Sequence, residues 1–420
     1  MYRMSRHQNG LTVITAEMPH MASVSIGIWV GVGGRYEPAP LSGVSHFIEH
    51  MLFKGTRRRT AKQISQDIEG VGGYLNGFTT EESTCFYAKA RHDRFRDLLD
   101  VLMDMFLNST FDPVEIDKER SVIKEELAMY LDQPQHHVQE LLNETLWPDH
   151  PLGRSLTGTN ETLDAMRRAD ILRYLRQTYV SNRAVVAAAG NLSHDKFVKS
   201  VHRFARGFLQ GARPRFAPVT HAQTAPRVCL FTKAVEQTQI ALGIRACSRH
   251  DERRFALRLL STILGENMSS RLWQILREER GLAYSIGSSI SCFDDVGTLT
   301  ISAGLDTEKV GEALRLTVRE MKRLSSAAAP AAEFRRARDY VIGQIDLSLE
   351  NTENQMMWLA EQFLGDGKIL SPAEIKQRLS TVTANEVRAA ARDFFRPERF
   401  SLALVSPLKK TAPLSKLLVG

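Results

Sequence analysis

His46 and His50 are two imidazoles four residues apart, and Glu49 directly precedes the second. On an α-helix, positions i and i+4 share a face, so both rings reach one metal ion. Glu49 lies about 100° round the helix from His50, where its carboxylate can touch a water on that metal. The order H-x-x-E-H is one in which two histidines hold zinc and the glutamate acts as general base. Chance supplies roughly 0.02 such matches in a chain of this length, so the pentapeptide stands above background. The bland alternative is a pair of ordinary helix histidines. Catalytic zinc takes three protein ligands and a water, so a carboxylate has to come from elsewhere.

The surrounding elements are legible from punctuation and period. Ser42 and Gly43 follow Pro38 and Pro40 as a helix start, with Ser42 as the N-cap, and 44–53 is then helical. Gly55 suits the C′ position. A second helix over 61–69 closes at the glycines of 70–73. Residues 74–79 and 83–90 read as paired strands, and 92–107 as an amphipathic helix. Asp112-Pro113 opens a further helix, running to about Leu131. Its acids read by default as a solvated face. Glu119 and Glu126 are seven apart, however, and share one side. Val122 and Ile123 between them make that side part buried. A carboxylate held at a buried face needs a partner, and a metal cation is one. Glu126 is therefore the candidate third ligand and Glu119 its companion.

Composition bounds the rest. The chain has 420 residues, 43% hydrophobic and 25% charged, the balance of a soluble globular protein with room for two domains. No apolar run is long enough to cross a bilayer. The net charge is +7, but the Lys and Arg are scattered. Arg57-Arg58-Arg59 and Lys409-Lys410 read as solvated surface, so nucleic acid is not expected as a partner. Cys85, Cys229, Cys247 and Cys292 show no C-x-x-C spacing and read as reduced core thiols. Only eight residues precede the turn at Asn9-Gly10, too few for a separate targeting segment.

A proline-bearing stretch, 213–227, interrupts the pattern as a linker. Beyond it the first half recurs in outline. Residues 239–244 echo the strand 24–30, a helix over 251–264 stands where the histidine helix stood, and 297–303 with a helix over 308–324 echo 83–107. The second copy has no histidine pair. The expected fold is α+β: two homologous domains, 1–212 and 228–420, each a mostly antiparallel sheet packed with helices, facing each other as a clamshell. Arg277 falls on the last turn of a helix that Gly281 breaks, and Tyr284 on the next strand. From the residues alone these are a salt-bridged arginine and a core tyrosine.

The run from His46 to His50, continued by Met51-Leu52-Phe53-Lys54-Gly55-Thr56, resembles the pitrilysin family of zinc peptidases. Within it the chain is similar to the mitochondrial-processing-peptidase branch and its bacterial relatives. The family's third ligand stands about 76 residues beyond the second histidine, where this chain has Glu126. Glu119 matches the family's additional acidic residue. The resemblance implies a zinc-dependent endopeptidase with one Zn²⁺ per chain, held by His46, His50 and Glu126, and with Glu49 as base. It gives Arg277 and Tyr284 the role of holding the substrate backbone and the oxyanion, and makes 74–79 the edge strand that meets the peptide. Phe53, Asn76 and Glu140 are the substrate-binding candidates. The branch reads basic residues with two acids where this chain has His136 and Glu140, so an arginine rule does not transfer directly. A homodimer in the bacterial cytoplasm is implied, with the mitochondrial matrix as the alternative location. The competing function is a noncatalytic scaffold or core subunit of a larger complex; its relatives have typically lost the His/Glu set that this chain keeps.

Overall fold

A strand buried on both faces organises the first half of the protein. In β3 (Ser23–Val30), Val24, Ile26, Ile28 and Val30 enter one apolar core, and Trp29 enters another on the opposite face. Side chains alternate across a strand, so this requires a covered sheet on both sides. The protein is described by a computed structural model over residues 2–220 and 223–419. The linker expected over 213–227 includes residues 221 and 222, which lie outside the described residues, as do residue 1 of the first expected domain and residue 420 of the second.

Two compact units result, and neither is a simple half of the sequence. The first comprises Met1–Leu127, Arg154–Ala217 and Asp346–Ser371; the second comprises Ala128–Gly153, Pro218–Ile345 and Pro372–Gly420. The expected division at the linker accounts for the bulk of each unit but not for the two exchanged segments.

The first unit holds a six-stranded sheet. Its strands are β1 (Tyr2–Arg6), β2 (Thr12–Glu17), β3, β4 (Tyr74–Thr79), β5 (Thr84–Arg91) and β6 (Ala184–Gly190), in the order β1-β2-β6-β3-β5-β4. Only β2 and β6 run parallel. β4 is an edge strand, and β1 is a strand the sequence reading passes over as a short lead into the turn. One face carries α1 (Val44–Leu52), α2 (Ala61–Glu69), α3 (Phe95–Asn108) and the start of α4 (Pro113–Asp132). The other face is covered by the helix Thr352–Asp366. There Met356, Leu359 and Ala360 pack on Ile14, Trp29, Cys85 and Val185. Thr352 Oγ1 lies 2.9 Å from Ser25 Oγ, satisfying a buried hydroxyl.

The second unit repeats this plan with five strands. They are β7 (Arg227–Thr232), β8 (Thr238–Ala246), β9 (Ala283–Cys292), β10 (Gly297–Leu305) and β11 (Phe400–Ser406), in the order β7-β11-β8-β10-β9. β7 and β11 are parallel and the other pairs antiparallel. The sequence β2-β6-β3-β5-β4 maps onto it strand for strand, so the fold is a duplicated α+β domain. Ile240, Leu242 and Ile244 of β8 face the main core. Ala241, with Ala403 and Val405 of β11, faces Val138, Leu142 and Leu146 of α5 (Pro134–Leu146). Each sheet is thus covered on one face by a helix that lies in sequence within the other half's expected domain.

Candidate metal centre

Local chemistry fixes the pose of α1. Gly43, at φ 93°, is its N-cap residue and offers no side chain. The cap comes from Glu37, whose two carboxylate oxygens accept from the Gly43 and Ser45 backbone N–H groups at 2.7 Å each. This corrects the expectation of Ser42: the capping side chain lies six residues upstream. A Cβ at position 43 would meet Thr157 O at 2.7 Å, so only glycine fits. Burial, opposed by those N–H groups and by Arg154, pushes the Glu37 carboxyl up to about 7. Val44, Phe47, Ile48, Met51 and Leu52 anchor α1 in the core, leaving His46 and His50 on the remaining face.

α4 supplies the carboxylates. Ile116, Glu119, Ile123 and Leu127 are its buried residues. Val122 is 48% exposed, so the expected burial between the acids comes from Ile123 and not from Val122. His46 Nε2 and His50 Nε2 lie 3.7 and 3.6 Å from the same Glu126 oxygen, Oε2. These contacts are too long for hydrogen bonds. They are close to the separation of about 3.4 Å that two ligands about 2.1 Å from a tetrahedral Zn²⁺ must have. One donor atom from each of His46, His50 and Glu126 falls within 4.8 Å of the others, the only such group of three among the described residues. His46 Nδ1 is buried without a partner. Two imidazoles and a carboxylate form a borderline donor set suited to zinc, so the residues fit the ion.

The surroundings orient these groups. Glu119 is buried; its Oε2 lies 3.0 Å from His50 Nδ1 and its Oε1 2.6 Å from Lys54 Nζ. A carboxylate at Nδ1 places the proton there and leaves the Nε2 lone pair facing Glu126. Burial and the neighbouring His50 push His46 down to about 4. Burial also pulls on His50, but the carboxylates of Glu126 and Glu119 outweigh it and hold that ring above its ordinary value.

Glu49 points toward the β4 edge. Its Oε2 accepts from Thr79 Oγ1 at 2.6 Å, and burial, opposed by that hydroxyl, raises the carboxyl. A Cβ on Gly77 would stand 3.2 Å from Glu49 Cγ, from Phe53 Cε2 and from Cys85 O, so the bare backbone there makes room for the carboxylate. Phe53 packs its ring 6.3 Å from Phe86, and Asn76 Oδ1 accepts from the Gly77 N–H at 2.9 Å. The sequence reading gives no role of their own to Thr79, Gly77, Lys54 and Glu37. Of these, only Lys54, directly after Phe53, carried a signal: a lone cation one turn past His50.

Glu140, Arg277 and Tyr284 belong to the second unit. Glu140 is half-buried on α5. Arg277 lies on the last turn, Trp273–Glu279, before Gly281 at φ 56°, and Tyr284 opens β9. The Arg277 guanidinium sits 4.2 Å from the Trp273 ring centroid and 5.6 Å from that of Tyr284, whose side chain is 75% exposed. Tyr284 is therefore not the core residue its apolar setting suggests. His137 is buried against Phe231 and joins no metal-binding cluster among the described residues. All four cysteines are free; burial raises Cys85 and pushes Cys247 up to about 12, which removes both as thiolate nucleophiles.

Residues 12–160 match the family model described as Insulinase (Peptidase family M16), and 165–341 match that described as Peptidase M16 inactive domain. The protein named Uncharacterized zinc protease YmxG, from Bacillus subtilis, is 36% identical over 95% of this chain and 97% of its own. A protease from Helicobacter pylori superposes with a TM-score of 0.90 at 19% identity, covering 97% of this chain and 99% of that one. A chain of complex III2 from Candida albicans does so at 0.86 and 19%, covering 99% of each. At those identities the structural likeness shows the fold alone. The sequence matches, which span most of both halves, show that this chain belongs to the insulinase family, peptidase family M16.

Proposed function

We propose that the protein is a zinc-dependent metalloendopeptidase with one Zn²⁺ per chain, acting on peptides or unfolded presequence-like segments. The observation that carries this is the convergence of His46, His50 and Glu126 beside a separately held carboxylate, Glu49. The bacterial relative's name as a zinc protease supports zinc as the cofactor. When bound, zinc supplies a Lewis acid that lowers the pKa of a water and polarises a carbonyl.

The chain's own residues do the rest. Glu119 fixes the His50 ring. Glu49 takes a proton from the attacking water and passes it to the leaving amine. Its raised, half-buried carboxyl suits a group that must both accept and release a proton. β4 lies at the sheet edge, where an extended peptide can add as a further strand and be read through its backbone. Asn76 on β4 and Phe53 behind it would contact that peptide. The family resemblance assigns Glu140 to side-chain selection, and Arg277 and Tyr284 to the substrate backbone and the oxyanion. A homodimer and a bacterial cytoplasmic location complete the reading. No helix among the described residues is long and apolar enough to cross a membrane, and the relative from Bacillus subtilis gives the mitochondrial alternative no support.

The test is metal content together with activity on a fluorogenic peptide pool, for wild type and Glu49→Gln. One zinc in both, with cleavage by wild type alone, is the expected result. Absence of zinc from both would overturn the reading and favour the noncatalytic scaffold.

A further inference from the structure

The turn that carries Arg277 is wound as a π-helix, Trp273–Glu279. An α-helix sets residues three and four apart side by side. A π-helix closes each turn five residues on, so Arg277 and Glu278 both come round above Trp273. They meet it differently. Glu278 Oε1 accepts from the indole N–H at 3.1 Å. The Arg277 guanidinium lies over the indole, 4.2 Å from the ring centroid. The backbone beneath is fixed. Leu276 is buried in the main core, its carbonyl accepts from the Leu282 N–H at 2.7 Å, and the Arg277 carbonyl accepts from the Gly281 N–H at 3.2 Å.

Contact through its face leaves the edge of the guanidinium open. Its five N–H donors lie in the guanidinium plane. None of them is hydrogen-bonded among the described residues, and Glu278 Oε1 approaches Nε only to 4.0 Å. The Tyr284 hydroxyl likewise makes no hydrogen bond among those residues, and its ring centroid lies 5.6 Å from the guanidinium carbon. An arginine with no anchored donor spreads over many rotamers, and ordering it on binding opposes that binding. We propose that Trp273 is a positioning residue. Its indole, itself fixed by Glu278, pins Arg277 by the guanidinium face and presents the in-plane donors to a peptide carbonyl or an oxyanion. This rests on the role proposed above for Arg277 and Tyr284, and it adds Trp273 and Glu278 behind them. A stacked guanidinium is not replaceable by an ammonium group, which has no flat face to offer the ring.

The test is a double-variant cycle on the full-length, zinc-loaded protein, with kcat and KM read on a fluorogenic peptide. Trp273→Leu keeps apolar bulk but has no π face. It should lower kcat/KM about fivefold, chiefly through kcat, while Trp273→Phe keeps most of the wild-type rate. In an Arg277→Ala background, Trp273→Leu should bring no further loss. Additive losses overturn the action through Arg277, and so does a Trp273→Phe variant no better than Trp273→Leu. A second readout needs no activity. In protein labelled at arginine Nε, the Arg277 signal is assigned by its absence from Arg277→Lys. It should be displaced by the indole ring current in wild type and move to the ordinary arginine position in Trp273→Leu. A wild-type signal already at that position overturns the pinning. If wild type cleaves nothing, the function proposed above fails, and the Nε signal alone decides whether Trp273 holds Arg277.

Discussion

His50 and Glu119 meet at 3.0 Å through Nδ1 and Oε2, and Lys54 holds the other Glu119 oxygen at 2.6 Å. In the proposed metal centre Glu119 would therefore act through His50 without being a ligand itself. Replacing such a supporting carboxylate typically lowers metal affinity about 10- to 100-fold. Glu119→Gln should do so with the fold intact, as read by competition with a chromophoric chelator. An unchanged affinity would reduce Glu119 to an anchor for Lys54.

Thr79 and Gly77 bear on the base. Thr79→Val deletes the hydroxyl 2.6 Å from Glu49. A hydrogen bond to a charged group contributes about 1.5–3 kcal/mol. The expected result is a roughly tenfold or greater fall in kcat at unchanged zinc content, with Thr79→Ser restoring most of it. Gly77→Ala puts a methyl 3.2 Å from Glu49 Cγ and from the Cys85 carbonyl, and the backbone cannot give way. It should lower activity more than it lowers the melting temperature.

Glu37 gives stability a pH dependence with a definite sign. Its carboxyl is pushed from 4.5 to about 7 in the folded chain, so between those values the folded state binds more protons than the unfolded one. That contribution is fully present below pH 4.5, declines as pH rises through the window, and is constant above pH 7. Urea unfolding at pH 5 and pH 8 should show wild type losing more stability over the interval than Glu37→Gln. Parallel behaviour of the two proteins would mean that the cap is ionised throughout.

Leu359 tests the covering helix of the first unit. It is 1% exposed between Met356 and the sheet residues Trp29 and Ile14. Leu→Ala at a closed site costs about 2–5 kcal/mol. Leu359→Ala should lower the urea midpoint accordingly and weaken the first unit, although position 359 follows more than half of the second unit in the chain. Leu142→Ala on α5 should do the same to the second unit.

The elements nearest the chemistry were the most legible. α2 and the β4–β5 pair follow from period and glycine punctuation, and the i, i+4 spacing of His46 and His50 carries their shared face. What stayed hidden was non-local. Glu37 caps α1 from six residues upstream of Gly43, a distance at which no capping pattern operates. Helical period put Val122 and Ile123 together between the acids, yet a single residue, about 100° round the helix, separates the exposed one from the buried one. β1, with only five residues and no buried apolar face, gives no alternation strong enough to read. Nor does the period of residues 352–366 say which sheet they cover.

That last feature constrains how the protein is made. Strands β2, β3 and β6 leave the ribosome early, but the apolar face they present to Met356, Leu359 and Ala360 stays open until residues 352–366 have been synthesised. The half that carries His46, His50 and Glu126 therefore cannot finish folding during its own translation. It waits, with one sheet face uncovered, for most of the second half to emerge. Two genes divided at 213–227 would each encode a sheet lacking its lid, and co-expression rather than separate refolding would be needed to recover either.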